Sequence, residues 1–371
     1  MESNYIVQVI TRRPHGGIGA VLKNIESYRD QSLFKFVYLF SEDNKETSFD
    51  QFISKYNCFI KVLPALSSTR GFLKYIKELY LFYKENHDKI SAIHIHTPNI
   101  ALPHLLFAKY FHIKVRILHS HNTCYSENKI KGYINFLLIY PLKFLITHRC
   151  ACGIKAAEFL FGKKSIDSYI LHNAIDTSKF VFDENKRELK RKELGLENKN
   201  VYGHVGNFLK QKNHSYLIEV FASIKKNQPN AKLLLIGLGP LYGEMKEKVA
   251  SLGLTEDVLF LGYRTDVKDL LMAMDVFLFP SLFEGFPVAL VEAQSLGLPC
   301  IVSEKITPEV KITDLVNFLP ITNTGIENWQ KKATTIRNVN RQKYPQILRE
   351  EGFDLQQEIQ ALDNYYLQIC N

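Results

Sequence analysis

Phe279-Pro280-Ser281-Leu282-Phe283-Glu284-Gly285-Phe286-Pro287-Val288-Ala289-Leu290-Val291-Glu292-Ala293 reads as the end of a buried strand, a short loop and the start of a helix. The strand closes at Pro280. Pro287 sits where a helix can begin, because its missing N–H costs nothing in a first turn. The free N–H groups of that turn can hold a diphosphate or sugar oxygens. Glu284 precedes the helix and Glu292 lies about two turns beyond, so the two carboxylates reach different hydroxyls of one extended ligand. The same residues also fit a capped surface helix with two solvated glutamates, and residue types alone leave both readings open.

Short β-branched runs alternate with helical patterns along the whole chain, which predicts parallel sheets with helices on both faces. The strands expected in the first half are Tyr5–Ile10, Phe36–Phe40, Ala92–His96, Val115–His119 and Ser168–Leu171. The alternation restarts after a charged, non-periodic stretch, Asp183–Asn200, with strands at Val201–Val205, Lys232–Ile236, Val258–Leu261, Val276–Pro280 and Pro299–Val302. A chain of 371 residues suits two domains, each of roughly 150 to 200 residues. The expected division is a first doubly wound domain over 1–180, a linker over 181–200, a second over 201–350, and a C-terminal helix over 351–371 packing back across the junction. Gly71–Asn86 has apolar residues at helical spacing with lysines between them, as an amphipathic helix does.

Open parallel sheets bind ligands at the carboxyl ends of their strands, so the residues just past each strand matter most. After the first comes Thr11-Arg-Arg-Pro-His-Gly16-Gly17-Ile-Gly19, a glycine turn that suits a phosphate and equally suits a plain tight turn. After Val115–His119 comes Ser120-His121-Asn122-Thr123; two imidazoles and an amide at a strand exit suit hydrogen bonding to a sugar hydroxyl or moving a proton. Lone histidines of this kind are also common in packed cores. The second half opens with His204-Val-Gly206-Asn-Phe-Leu-Lys-Gln-Lys212-Asn-His214, a candidate anion cradle with Lys212 reaching a phosphate. Ile236-Gly237-Leu-Gly239 is another close-approach turn.

Composition is that of a globular protein, 46% hydrophobic and 23% charged. No window reaches the roughly 20 apolar residues of a membrane-spanning helix, and the N-terminus reads as a strand and not a signal peptide. A cytosolic protein is therefore expected. Its six scattered cysteines read as reduced thiols, and Cys150-Ala-Cys152 lacks metal-site spacing. Residues 1–180 hold 24 Lys+Arg against 14 Asp+Glu, or +10, and the remaining 23 against 24 give −1. A domain-restricted positive balance points to an anionic partner such as a membrane surface, a phosphorylated lipid or a nucleic acid, or to a lysine-rich solvated surface.

Glu284-Gly-Phe-Pro-Val-Ala-Leu-Val-Glu292 resembles the E-x7-E signature of the family 4 retaining glycosyltransferases, which have the GT-B fold. The resemblance extends through Gly16-Gly17, His94-Ile-His96-Thr-Pro98-Asn99, His119-Ser-His-Asn-Thr123, Leu171-His-Asn173-Ala-Ile-Asp176, Val205-Gly206, Lys212-Asn213-His214 and Leu261-Gly-Tyr-Arg-Thr-Asp266. Its wording is most similar to the bacterial capsular and exopolysaccharide branch. The resemblance implies two Rossmann-like domains facing each other across a cleft, the first binding the acceptor and the second a nucleotide sugar.

It implies that Glu292 binds the donor ribose and Glu284 the donor sugar, with Gly285 and the backbone of Phe286, Pro287, Val288, Ala289 and Leu290 around the sugar and diphosphate. Gly16, Gly17, Gly206, Asn207 and Gly237 would line the donor, Lys212 would stabilise the departing diphosphate, and Tyr263 and Arg264 would lie by the base. His119 is aligned with the family's cleft histidine, with His121 and Asn122 toward the acceptor. The family often has arginine where Asn207 stands, which leaves Lys212, Lys210 or Arg264 to carry more of the leaving-group charge.

The implied activity is retaining, metal-independent transfer of a hexose or N-acetylhexosamine, from a UDP-sugar, to a lipid-linked oligosaccharide. No cofactor is expected beyond the nucleotide sugar as co-substrate, and no credible pair of carboxylates flanks a sugar carbon as a hydrolase needs. Gly71–Asn86 and Lys129–Arg149 are candidates for contact with an anionic membrane at its inner face. A non-catalytic GT-B subunit shares the fold and remains the alternative. A nucleic-acid partner lacks a recognisable module.

Overall fold

Five consecutive residues of β1 (Tyr5–Val9) show why this chain builds parallel sheets: four of them are buried, so both faces of the strand are covered. The computed structural model describes residues 4–11, 16–41, 47–66, 68–125, 129–336 and 339–371. These fall into two units, Met1–Asn173 with Leu355–Asn371, and Ala174–Asp354.

The first unit continues with α1 (Gly16–Tyr28), β2 (Lys35–Ser41), α2 (Ser48–Ile53), β3 (Cys58–Leu63), α3 (Thr69–Asn86), β4 (Ile90–Ile95), α4 (Ala101–Tyr110), β5 (Val115–Ser120), α5 (Lys129–Ile139), β6 (His148–Ala151), α6 (Ile154–Phe161) and β7 (Ser168–Ile170). Among the described residues its strands run in the order β3-β2-β1-β4-β5-β6-β7. Every recorded pairing is parallel, and the order reverses direction between β1 and β4. Gln8 of β1 is the register partner of His94, and His94 that of Ile117. Side chains two apart share a face of a sheet, so Gln8, His94 and His119 point the same way.

The second unit holds α7 (Glu184–Glu193), β8 (Asn200–Val205), α8 (His214–Asn227), β9 (Ala231–Ile236), α9 (Tyr242–Ser251), β10 (Val258–Gly262), α10 (Val267–Ala273), β11 (Val276–Phe279), α11 (Val288–Ser295), β12 (Cys300–Ser303), β13 (Val316–Leu319), α12 (Ile326–Thr335) and α13 (Tyr344–Glu350). The described strands order as β10-β9-β8-β11-β12-β13, with the reversal between β8 and β11. Trp329 of α12, Phe221 and Leu217 of α8, and Leu233 and Leu235 of β9 lie in its buried core. Both sheets thus have the doubly wound order expected of the GT-B fold.

The final helix, α14 (Leu355–Cys370), belongs to the first unit. Asp363 accepts from the Asp30 amide at 2.8 Å and Glu358 from the His172 amide at 2.6 Å.

Several expectations change. The charged stretch expected as a linker over 181–200 carries α7, capped by the Asp183 side chain. It has no apolar stripe because arginines dock it: Arg187 donates to the Met272 and Met274 carbonyls at 2.7 and 2.8 Å, and Arg191 to that of Ala273 at 2.8 Å. β3, β6 and β13 were not anticipated; β3 and β13 are edge strands, and β6 is four residues with two polar side chains. α3 buries Tyr75, Leu79, Phe82 and Tyr83 against the unit and exposes its lysine face. Among the described residues, no helix is long and apolar enough to cross a membrane.

Candidate functional site

In the second unit the polar groups gather where β8 and β11 end. Gly237, with φ +138°, lets the turn after β9 approach closely: a Cβ there would lie 2.2 Å from the Gly206 carbonyl oxygen. Gly206 is bare for a related reason. A Cβ would lie 2.8 Å from His204 Nε2 and 3.2 Å from Lys212 Cδ, so its absence lets the lysine stem pass over the turn. The Lys212 ammonium ends 2.7 Å from Glu284 Oε1 and 5.0 Å from the centre of the Phe279 ring. Gln211 Nε2 donates to Glu284 Oε2 at 3.1 Å and to the Phe283 carbonyl at 2.8 Å. The Leu282 amide returns a bond to the Gln211 carbonyl at 2.8 Å. The loop after β11 is thereby stitched to the turn after β8, with Glu284 buried at its centre.

Lys212 was expected to reach a phosphate; here its charge is met by Glu284, so an incoming anion would share that ammonium with a carboxylate. Pro287 is the N-cap of α11 and not its first residue, and no side chain caps that helix. The first-turn amides of Val288 and Ala289 are therefore the groups available to a ligand. Phe286 is packed against Phe353, rings 5.3 Å apart, so only its backbone can serve a ligand. Leu290 is buried and its amide donates to the Pro287 carbonyl at 3.1 Å. Glu292 is half-buried, and burial pushes its carboxyl up to about 7.

Arg264 does not stand free for a base or a phosphate: it grips Asp266 through two bonds of 2.7 and 2.6 Å, holding that carboxyl well below its usual range. Tyr263 is exposed beside it, and Asn207 is exposed on the turn after Gly206. Gln211 was not anticipated; its only signal was its place beside Lys212.

In the first unit the site is made of neutral rings. His94 and His96 leave β4, and His119 and His121 leave β5 beside them. His94 Nε2 meets His119 Nδ1 at 3.0 Å, and His96 Nδ1 meets His121 Nε2 at 2.8 Å. Gln8 Oε1 accepts from His96 Nε2 at 2.7 Å, and the Tyr366 hydroxyl of α14 meets His94 Nδ1 at 2.6 Å. Burial pushes His94 down to about 3 and His121 to about 4, and holds His96 and His119 well below the usual range. All four rings are neutral at pH 7.

His119, aligned with the family's cleft histidine, is 1% exposed and locked into this stack, and its Nε2 is buried without a partner among the described residues. His121 lies past the strand end and is half-buried, the better placed of the two to meet a substrate. Asn122 uses its side-chain oxygen on the Thr123 amide at 2.8 Å. Gly16 and Gly17 open α1, whereas residues 12–15 lie outside the described residues. Gln8 and Tyr366 were missed; the signal for Gln8 was one polar residue inside an apolar strand.

Nitrogens of His94, His96 and His119 lie within 4.8 Å of one another. The rings of His94 and His96 are stacked, however, 4.4 Å apart and 14° from parallel, and those of His94 and His119 lie 25° from parallel. Metal ligation uses in-plane lone pairs, which stacked rings do not aim at one point. The cluster suits hydrogen bonds better than a metal.

Residues 185–351 match the family described as glycosyl transferases group 1. The chain is 31% identical to EpsF of Bacillus subtilis, a protein named as a glycosyltransferase, over 97% of this chain and 96% of that one. It is 30% identical to the UDP-Gal:alpha-D-GlcNAc-diphosphoundecaprenol alpha-1,3-galactosyltransferase of Escherichia coli, over 65% of each. Among solved structures, HepE of Anabaena in complex with UDP superposes with a TM-score of 0.78 at 17% identity, covering 98% of this chain and 100% of that one. At that identity the likeness shows the fold.

Proposed function

This chain belongs to the group 1 glycosyl transferases, and we propose that it moves a hexose or N-acetylhexosamine from a UDP-sugar to a lipid-linked oligosaccharide, with retention, in capsular or exopolysaccharide synthesis. The observation that carries this reading is the Lys212–Glu284 pair, 2.7 Å apart, which joins the turn after β8 to the loop that leads into the uncapped start of α11. A diphosphate leaving group needs positive charge and N–H donors; a sugar needs carboxylate acceptors. Both kinds of group stand there. The galactosyltransferase relative supports a UDP-sugar donor and a diphosphate-linked polyprenol acceptor, and the UDP-bound neighbour has the same fold.

In the proposed reaction the acceptor oxygen bonds to the anomeric carbon as the bond from that carbon to the diphosphate oxygen breaks. The electron pair leaves on the diphosphate, and the acceptor's hydroxyl proton passes to His121 and on to solvent. Lys212 and the Val288 and Ala289 amides stabilise the growing charge in place of a divalent ion. Glu284 holds sugar hydroxyls and Glu292 the ribose. We assign the acceptor to the first unit, with His121, and not His119, hydrogen-bonded to the reacting hydroxyl. Turnover of a sugar-nucleotide panel against lipid-linked acceptors, with and without EDTA, tests this. A UDP-sugar should be used at an unchanged rate in EDTA, and turnover of no sugar nucleotide would sink the reading.

We also place the first unit against an anionic membrane. Residues 129–149 carry Lys129, Lys131, Lys143 and Arg149 and no acidic residue. Ile130, Tyr133 and Phe144 there are 73%, 65% and 78% exposed. Leu106 and Tyr110 of the adjoining α4 add to the apolar surface. Large exposed apolar side chains on a segment with lysines and no acidic residue suit the boundary of an anionic bilayer, where a polyprenol-linked acceptor resides.

A further inference from the structure

Gln8 is fully buried in an otherwise apolar strand, so both ends of its amide need partners. Its oxygen takes the hydrogen of His96 Nε2 at 2.7 Å, and its nitrogen donates to the Tyr366 hydroxyl at 3.3 Å. An amide oxygen only accepts, so the single hydrogen of the neutral His96 ring sits on Nε2. Its Nδ1 is then bare and accepts, at 2.8 Å, from His121 Nε2. His121 is neutral as well, which leaves its own Nδ1 without a hydrogen.

At the other end of the same amide the Tyr366 hydroxyl, accepting from Gln8, meets His94 Nδ1 at 2.6 Å, and His94 Nε2 meets His119 Nδ1 at 3.0 Å. The His119 and His121 rings are stacked 3.8 Å apart. Turning the Gln8 amide over would reverse the donors from Gln8 through His96 to His121.

We propose that Gln8 is a positioning residue for the transfer: through His96 it fixes His121 in the tautomer whose bare Nδ1 accepts a hydrogen bond from the acceptor hydroxyl. The inference rests on the reading of His121 as the acceptor-facing residue. With the hydrogen on Nδ1 instead, the ring would offer a donor to a hydroxyl whose own hydrogen has to be drawn away from the attacking lone pair.

Two-bond 15N–1H correlation spectra of the full chain labelled in histidine nitrogen report which ring nitrogen carries hydrogen, and His121→Ala assigns the His121 signals by their loss. The expected result is a protonated Nε2 and a bare Nδ1 on His121 in the wild type. In Gln8→Leu the two tautomers should mix, and kcat should fall about tenfold while UDP affinity holds. A protonated Nδ1 in the wild type overturns the proposal, as does an unchanged His121 tautomer in Gln8→Leu. The wild-type spectrum decides even where that variant does not fold. Full activity in His121→Ala with the wild-type tautomer as expected would instead overturn the acceptor-facing role of His121.

Discussion

Each unit collects its polar groups where the strand order reverses, at the ends of β1, β4 and β5 in one and of β8 and β11 in the other. The electrostatics of the two places are opposite. The second unit sets an ammonium against a carboxylate at 2.7 Å on a loop and adds a second carboxyl raised to about 7. The first unit uses stacked imidazoles that burial keeps neutral. Charges on a loop can change partners as a ligand's charge grows, which suits a diphosphate. Neutral rings in a closed hydrogen-bond network hold direction, which suits the orientation of one hydroxyl. Among the described residues, the positive charge of the first half is carried by exposed lysines such as Lys74, Lys77, Lys109, Lys163 and Lys164.

The contrast breaks most visibly at Lys212. Lys212→Ala should lower kcat by about 10²- to 10³-fold, with the circular dichroism spectrum kept and a lower melting temperature, because Glu284 is left buried without its cation. Near wild-type turnover would remove the charged site from the mechanism. Next in size is His121→Ala, expected to cost about 10²-fold in kcat with UDP affinity intact by calorimetry. His119→Phe, which keeps the volume of a buried ring, should cost less than about tenfold. A larger loss for His119 than for His121 would restore the sequence-based assignment.

A smaller effect belongs to Glu292. Burial raises its folded-state pKa to about 7, so the carboxyl is protonated at pH 6 and ionised at pH 8. Only the ionised form accepts from two ribose hydroxyls at once. UDP affinity should therefore weaken by about tenfold per unit as pH falls below 7, beyond any change seen in Glu292→Gln. Parallel pH curves for the two proteins would remove Glu292 from the ribose. Smallest is the membrane term: Phe144→Ser with Lys143→Glu should reduce binding to phosphatidylglycerol vesicles several-fold while turnover of a water-soluble acceptor stays the same. Undiminished vesicle binding would move the contact elsewhere.

The core strands of both sheets were legible because buried parallel strands read as short β-branched runs between helical patterns. The loop from Glu284 into α11 was legible because Glu284, Pro287 and Glu292 lie within one strand–loop–helix unit. α7 was not, since its docking face is arginine and carries no apolar period. The histidine site was only half visible: His119-Ser-His121 signals a strand exit, but nothing local ties it to Gln8 or Tyr366.

By itself, then, the sequence determined two doubly wound units and the loop from Glu284 to Glu292, because patterns of period two and 3.6 and a helix start are set by neighbours along the chain. The folded arrangement sets the pairing of Lys212 with Glu284, the hold of Asp266 on Arg264, and the burial of His119 beside a half-buried His121. Those outcomes depend on strand register and on side chains as far apart as Gln8 and Tyr366, whose meeting no local pattern encodes.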